Sequence, residues 1–174
     1  DAVVAAMLLA GMAAQSKDKG QTLIDRLENL YERFGYGYED AVSYTLEGKA
    51  GVEQIAGAMS ALREDARSAD KESAMSMVPG YPIKAIRDYL TNTKYDFSEQ
   101  VVKKESIDLP ESNVLLYEAG GEKGLDWACV RPSGTEPKLK VYFGAYASKK
   151  DVAKKRLADM KQNFSSYVKR YLYL

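Results

Sequence analysis

Three short β-rich runs, residues 114–117, 127–130 and 139–143, lie close together in this chain, and turns rich in glycine or proline separate them. In the third run, apolar and polar side chains alternate, as they do in a strand with one buried face. Connections this short join antiparallel neighbours, because a parallel pair needs a crossover of about a dozen residues or more. The runs therefore predict an antiparallel sheet.

Helical patterns flank the predicted sheet. Apolar residues recur at helical spacing in residues 23–34, from residue 52 to residue 62, and from about 149 to 171, which predicts three helices. Residues 83–90 fit a strand or a helix equally well, and residues 42–46 are a short strand candidate. The pattern predicts an α+β fold in which helices flank an antiparallel sheet.

Residues 1–14 are almost all apolar. They are too few to span a bilayer, which takes about 20 residues, and they begin with Asp1 where a signal peptide would carry basic residues. We interpret them as a helix that is normally buried against a larger body. Glycines in residues 48–51 mark a turn, and we place a domain boundary there, between residues 1–50 and residues 51–174.

The composition excludes several kinds of chemistry. The chain has no histidine, so it cannot hold a Ser-His-Asp or Cys-His arrangement or the common imidazole metal sites. Its one cysteine, Cys129, excludes an internal disulfide and a multi-thiolate zinc site, and indicates a cytoplasmic location. The 25 basic and 25 acidic side chains balance, which argues against a general binder of nucleic acid or of a membrane surface.

Residues 131–138, which enter the third β-rich run, have the composition of an anion-binding loop. Prolines stiffen both ends, and Gly134 lets the backbone approach a ligand closely. Arg131 offers a planar fork for two phosphate oxygens, while hydroxyl and amide donors follow it. A plain hairpin whose arginine pairs with a neighbouring carboxylate remains an alternative. The candidate phosphate-binding residues are Arg131, Ser133, Gly134, Thr135 and Lys138; we identify no catalytic or metal-ligating residue.

The order Arg-Pro-Ser-Gly-Thr-Glu-Pro-Lys at residues 131–138 resembles the phosphate-binding loop of the α-D-phosphohexomutase family. The likeness continues through residues 139–142. Upstream, Leu-Pro-Glu-Ser-Asn-Val-Leu at residues 109–115 resembles a segment of the phosphoglucomutase and phosphopentomutase branch. Residues 27–37 and 51–63 also resemble that branch, so the likeness covers most of the chain.

The resemblance implies a division of the chain and a fold. Residues 1–50 are similar to the last helices of the family's third, α/β domain, and residues 51–174 to its fourth, C-terminal domain. That domain has a four-stranded antiparallel sheet flanked by helices, similar to the TATA-binding protein. The motifs of the family's catalytic serine, metal and sugar loops do not occur in this sequence.

The resemblance also implies a function for a full-length enzyme of which this chain is a part. Such an enzyme would interconvert glucose 1-phosphate and glucose 6-phosphate, with Mg²⁺ and glucose 1,6-bisphosphate as cofactors. We expect this chain to bind neither cofactor, to be inactive alone, and to have a phosphosugar and domains 1 to 3 of its own enzyme as partners. A phosphopentomutase, phosphomannomutase or phosphoglucosamine mutase remains an alternative, as does a nucleic-acid or phosphate-binding module without catalysis.

Overall fold

The computed structural model describes residues 1–124 and 126–173. Two helices, α1 (Ala2–Asp18) and α2 (Leu23–Phe34), precede the first strand, β1 (Tyr36–Thr45), and two more, α3 (Gly48–Ser68) and α4 (Lys71–Ser76), follow it. The later elements are β2 (Ile83–Asp88), β3 (Thr93–Asp96), β4 (Lys103–Ser106), β5 (Leu115–Ala119), a short 3₁₀ turn (Glu122–Gly124), β6 (Asp126–Pro132), β7 (Lys138–Ala147) and the long helix α5 (Lys150–Leu172).

The strands form one antiparallel sheet in the order β1-β7-β6-β5-β2-β3-β4. The predicted α+β class is confirmed, but the sheet has seven strands in the described residues where four were expected. The ambiguous residues 83–90 contain β2, and the polar four-residue strands β3 and β4 extend the sheet beyond it. At the other edge, β1 pairs with β7 over ten residues. The boundary at 50/51 stays a prediction.

Helices α3 and α5 cover one face of the sheet. Inward side chains of β7, such as Val141 and Phe143, have no exposed surface, and Phe164 of α5 packs edge-on against Tyr117 of β5 at 4.9 Å between ring centroids. Aromatic pairs in this geometry add about 1 kcal/mol beyond the burial of their area. The helices therefore cover one face of the sheet and leave the opposite face, which carries Arg131, largely uncovered.

The apolar first segment is a helix, as expected, but within the described residues it is not buried. Met7 is 71% exposed and Val3 is 68% exposed, and Ser16 is the buried residue of α1. Helix α2 begins at a capping box formed by Thr22 and Asp25. In the part of the chain that the structure covers, no helix is long and apolar enough to cross a membrane.

Buried tyrosines make the fold sensitive to alkali. Burial raises the pKa of Tyr81 to about 12, and its hydroxyl donates a hydrogen bond of 2.6 Å to the carbonyl of Arg156. Burial also raises the pKa of Tyr117 and of Tyr167. A tyrosine in the unfolded chain loses its proton near pH 10. These three buried tyrosines therefore contribute fully to the stability of the fold below about pH 10, and their contribution falls as the pH rises through their raised pKa values in the folded protein.

We therefore expect the free energy of unfolding, measured by urea denaturation, to decrease steadily above pH about 10. Tyrosinate absorbance should then rise together with the loss of helical circular dichroism. The expectation would be contradicted if all 13 tyrosines lost their protons near pH 10 while the helical circular dichroism stayed unchanged.

Candidate functional site

The turn between β6 and β7 places the candidate residues at one end of the sheet. Arg131 lies near the end of β6, opposite Lys140 of β7. The amide of Ser133 donates to the carbonyl of Lys138 at 2.7 Å, which closes the hairpin. The carbonyl of Pro137 accepts from the amide of Leu46 at 3.0 Å, which ties the turn to the end of β1. The loop is therefore anchored at two points.

Between the anchors, several donors have no internal partner. The amides of Gly134, Thr135 and Glu136 donate no hydrogen bond within residues 1–124 and 126–173, and neither do the hydroxyls of Ser133 and Thr135. A Cβ atom built on Gly134 would have no heavy atom within 4 Å, so the backbone is open to approach from that side. Consecutive amides with free hydrogens in a turn are groups that proteins commonly use to bind anions.

The charges around the loop divide into a free and a paired group. The Arg131 side chain is exposed and makes no ion pair with any described residue. Lys138 pairs with Glu136 at 2.8 Å, and this hydrogen bond holds the pKa of the Glu136 carboxyl below its ordinary value. The carboxylate therefore stays ionised at neutral pH and offsets the charge of Lys138. Of the two cationic candidates, Arg131 is the more available to a ligand.

A small apolar cavity of about 140 Å³ lies under the loop. Val52 and Met59 of α3 line one side, and Pro132 and Pro137 line the other. Sequence reasoning did not place α3 beneath the loop, because the two segments are about eighty residues apart. The prolines of the loop and helix α3 therefore face each other across this cavity.

The sequence predicts a turn at residues 48–51, but this is wrong for Gly51, which the structure places in the first turn of α3. A Cβ atom on Gly51 would collide with the backbone carbonyl of Leu46, the residue whose amide holds Pro137. Only glycine allows this approach without displacement of one of the two segments. Leu46 and Gly51 therefore position the loop, and the signal for them was the glycine pair at residues 48 and 51.

Asn113 connects the segment at residues 109–115 to the same region. Its side-chain oxygen accepts a hydrogen bond from Arg63 of α3, and Arg63 in turn pairs with the buried Asp88 at 3.1 Å. Asn113 also lines the cavity under the loop. The segment that resembles the phosphoglucomutase branch thus packs against the loop from the α3 side.

The remaining chemistry-bearing groups do not join this site. Cys129 is two residues from Arg131 and partly buried, and burial raises the pKa of its thiol, which favours the unreactive form. Among the residues with described positions, no three His, Cys, Asp or Glu side chains come together in a group that could hold a metal ion. The five sequence-predicted residues lie side by side on one loop, and their contact with phosphate stays a prediction.

Residues 45–160 match the family model described as phosphoglucomutase/phosphomannomutase, C-terminal domain. A phosphoglucomutase of Staphylococcus aureus (strain MRSA252) is 35% identical over 144 residues, which are 82% of this chain and 23% of that protein. The phosphoglucomutase of strain USA300 is 34% identical over the same shares. The chain thus spans about a quarter of the length of these relatives.

Among solved structures, the chain is similar to the exocytosis-sensitive phosphoprotein pp63/parafusin, a phosphoglucomutase from Paramecium in its open form. The TM-score is 0.50 at 16% sequence identity, and the match covers 92% of this chain and 26% of that one. At this identity the likeness concerns the fold alone.

Proposed function

This chain belongs to the phosphoglucomutase/phosphomannomutase family, because the family's C-terminal domain matches residues 45–160. From this membership we propose that the chain binds the substrate phosphate of a phosphoglucomutase-type enzyme. The proposed reaction of the full-length enzyme is the interconversion of glucose 1-phosphate and glucose 6-phosphate. The observation that carries the proposal is an anchored loop with a free guanidinium and three free amides.

The loop's donors suit a phosphate monoester dianion. Arg131 would donate two parallel hydrogen bonds to two of its oxygens, and the amides of residues 134–136 would donate to the others. The hydroxyls of Ser133 and Thr135 add donors that adjust to either face of the phosphate. None of these groups would contact the sugar ring, so the same loop could bind either phosphate of a sugar bisphosphate. Phosphoryl transfer depends mainly on such positioning and on charge stabilisation.

The proposal assigns the other parts of the reaction to the rest of the enzyme. A catalytic serine, Mg²⁺ and the sugar contacts would come from domains 1 to 3, and glucose 1,6-bisphosphate would be the activating cofactor. No step is assigned to a metal in this chain, since its described residues hold no suitable carboxylate cluster. The exposed apolar side chains of α1, including Met7 and Leu8, would pack against those domains. We expect this chain alone to be inactive and the enzyme to be cytoplasmic.

Orthophosphate is the simplest probe of the loop. We expect its addition to shift the amide NMR signals of Gly134, Thr135 and Glu136 along one saturating curve, with little change elsewhere. Sodium chloride at matched ionic strength is the control, because it screens charge without offering a tetrahedral oxyanion. Shifts confined to the lysines of α5, or absent at the loop, would refute the proposed site. Glucose, mannose and ribose phosphates can then be compared as substrates of the full-length enzyme.

Gly134→Ala separates binding from folding at this loop. The added methyl group meets no atom in the fold, and Gly134 lacks the positive φ that disfavours alanine, so the free energy of unfolding should change by less than about 1 kcal/mol. Orthophosphate affinity should nevertheless fall by about fivefold or more, because the methyl group stands where the anion approaches the amides.

Gly57→Ala is the matched control for that change. Gly57 lies in α3, and a Cβ atom there also has open space around it, so this variant should bind orthophosphate normally. Equal affinities of the Gly134→Ala and Gly57→Ala proteins would show that the anion does not approach the loop backbone.

A further inference from the structure

A second recessed surface lies between the edge strand β1 and helix α5. It has a volume of about 720 Å³. On one side are Tyr38, Val42 and Tyr44 of β1, and on the other are lysines and serines of α5. We call this surface the β1–α5 groove. Nothing in the proposed phosphate chemistry uses it.

The outer edge of β1 offers backbone hydrogen-bonding groups to the groove. In an antiparallel ladder, the N–H and C=O of one residue point to the same side and alternate along the strand. The amide of Leu46 points inward and donates to the carbonyl of Pro137. The amide of Ala41 points away from β7 and donates a hydrogen bond of 2.7 Å to the Asp40 carboxylate. The outward-pointing residues are therefore Gly37, Glu39, Ala41, Ser43 and Thr45.

Two uncompensated positive charges lie at the ends of the groove. The Lys154 ammonium lies 5.7 Å from the centre of the Tyr38 ring, and the Lys169 ammonium lies 6.0 Å from that of Tyr44. Neither lysine forms an ion pair with a described residue. Tyr38 and Tyr44 are six residues apart on one face of β1, a distance of about 20 Å.

The middle of the groove is neutral by contrast. Lys161 pairs with Asp40 at 2.6 Å, and this hydrogen bond lowers the pKa of the Asp40 carboxyl. The stems of the lysines and the side chains of Val42 and Leu157 give the middle an apolar floor. The groove therefore has the charge order positive, neutral, positive along its length.

Two hydroxyl groups that line the groove have no hydrogen-bond partner. They belong to Tyr44, which is 8% exposed, and to Ser165 of α5, and neither reaches an acceptor or donor among the described residues. Buried hydroxyls are usually satisfied, so this unpartnered pair is unusual, but both oxygen atoms lie within the wall of the groove and not on its surface.

We propose that the β1–α5 groove binds an extended acidic segment of another protein, which adds an eighth strand to the sheet along β1. Backbone hydrogen bonds to the outward-pointing residues other than Ala41, whose amide is held by Asp40, supply affinity that does not depend on sequence, and pockets for alternate side chains supply specificity. Acidic side chains six residues apart in the segment lie on one face and reach Lys154 and Lys169 together. The residues between them that face α5 are apolar, matching Val42 and Leu157.

A second copy of the chain is a less suitable occupant. In a symmetric β1–β1 pair centred on the strand, the exposed Glu39 carboxylates of the two copies would come close together, and like charges across a ladder are destabilising. An acidic segment from elsewhere in the full-length protein is a further alternative. Both are distinguished by the tests below.

The binding test uses the full-length protein that carries this chain and a fluorescein-labelled peptide, Asp-Thr-Val-Thr-Val-Thr-Asp. Its acidic residues stand six positions apart, and its valines lie on the same face. We expect saturable binding by fluorescence anisotropy, weakened by added salt. A peptide with lysine at both ends should bind at least about tenfold more weakly. Equal binding of the two peptides, or no binding of the first, would overturn the proposal.

Two pairs of variants separate the charge contribution from the backbone contribution. The double change Lys154→Glu and Lys169→Glu should weaken peptide binding about tenfold or more, whereas Lys17→Glu with Lys19→Glu at the C-terminal end of α1 alters the net charge equally and should leave binding within about twofold.

Ser43→Pro removes one outward N–H, and proline is tolerated on the free side of an edge strand. Peptide affinity should fall about tenfold with Ser43→Pro and hardly change with Ser43→Ala. Circular dichroism and orthophosphate binding should be normal in both, because the phosphate loop does not include Ser43. A Ser43→Pro protein that is folded and binds the peptide normally would rule out strand addition.

Hydrogen exchange and solution size test the other occupants. If the amides of Glu39 and Ser43 are already protected in the peptide-free full-length protein, its own chain occupies the edge and the proposal fails. A concentration-dependent dimer that Ser43→Pro abolishes would assign the edge to a second copy and would equally overturn the proposal. A monomer whose amides become protected only with peptide is the expected result.

Discussion

Replacement of Arg131 by alanine should lower kcat/KM for glucose 1-phosphate by about 100-fold in the full-length enzyme, which corresponds to about 3 kcal/mol of lost transition-state stabilisation. The guanidinium is the one charged donor of the loop that no described residue neutralises, since Lys138 is already paired with Glu136. Arg131→Lys should recover only part of the loss, because an ammonium keeps the charge but lacks the planar fork.

The same variant should leave the fold intact. Arg131 is exposed and makes no ion pair within the described residues, so its removal should change the free energy of unfolding by less than about 0.5 kcal/mol. Arg67→Ala is the control for loss of a surface arginine, because Glu64, on the outer face of α3, is the one ion-pair partner of Arg67 among the described residues. If the Arg131→Ala and Arg67→Ala enzymes have equal kcat/KM, the guanidinium does not contact the substrate.

Arg156→Met should produce the largest loss of stability, about 3 to 5 kcal/mol. Asp126 has no exposed surface, and its carboxylate accepts hydrogen bonds from the Arg156 guanidinium at 2.8 Å and from the amide of Tyr146 at 3.0 Å. Methionine keeps much of the arginine stem but leaves a buried charge without its counter-ion. Urea denaturation followed by circular dichroism measures the difference.

The partner variant shows whether the buried charge causes that loss. Adding Asp126→Asn to Arg156→Met removes the charge and should recover at least about half of the lost stability. Lys155→Met is the control on the exposed side of α5, where the lysine pairs with Asp159 and with no other residue that the structure describes. A loss of less than about 1 kcal/mol for Arg156→Met would mean that the carboxylate is protonated or reaches water.

Local patterns predicted the parts of the fold that depend on neighbouring residues. The alternation of Leu139, Val141 and Phe143 correctly identified β7 and its buried face, and the apolar stripe of the last helix correctly placed α5 within one residue at each end. Both patterns arise because one face of each element meets the core. The composition of residues 131–138 predicts an anion-binding loop from its density of donors, and their order predicts it from the resemblance to the phosphohexomutase family; phosphate binding by the loop stays a prediction.

Contacts between distant residues were not predictable in the same way. Strand β1 pairs with β7 about a hundred residues later, and its glycine and acidic residues hide the alternation that an inner strand would show. The short strands β3 and β4 are polar because they lie at the opposite edge. The support of the loop by Leu46 and Gly51 depends on a close approach of two backbone segments. A glycine in the sequence permits such an approach but does not show which segment will come close.

The hydrogen bond from the Leu46 amide to the Pro137 carbonyl limits how far the loop can move relative to the end of β1. It is 3.0 Å long, and a relative shift of more than about 0.5 Å would take it outside the range of a good hydrogen bond. The phosphate loop and the end of β1 must therefore travel as one piece whenever this region turns to admit or release a ligand. Under the proposed function, a bound phosphate would therefore move together with the end of β1, and a hinge between the two is not expected.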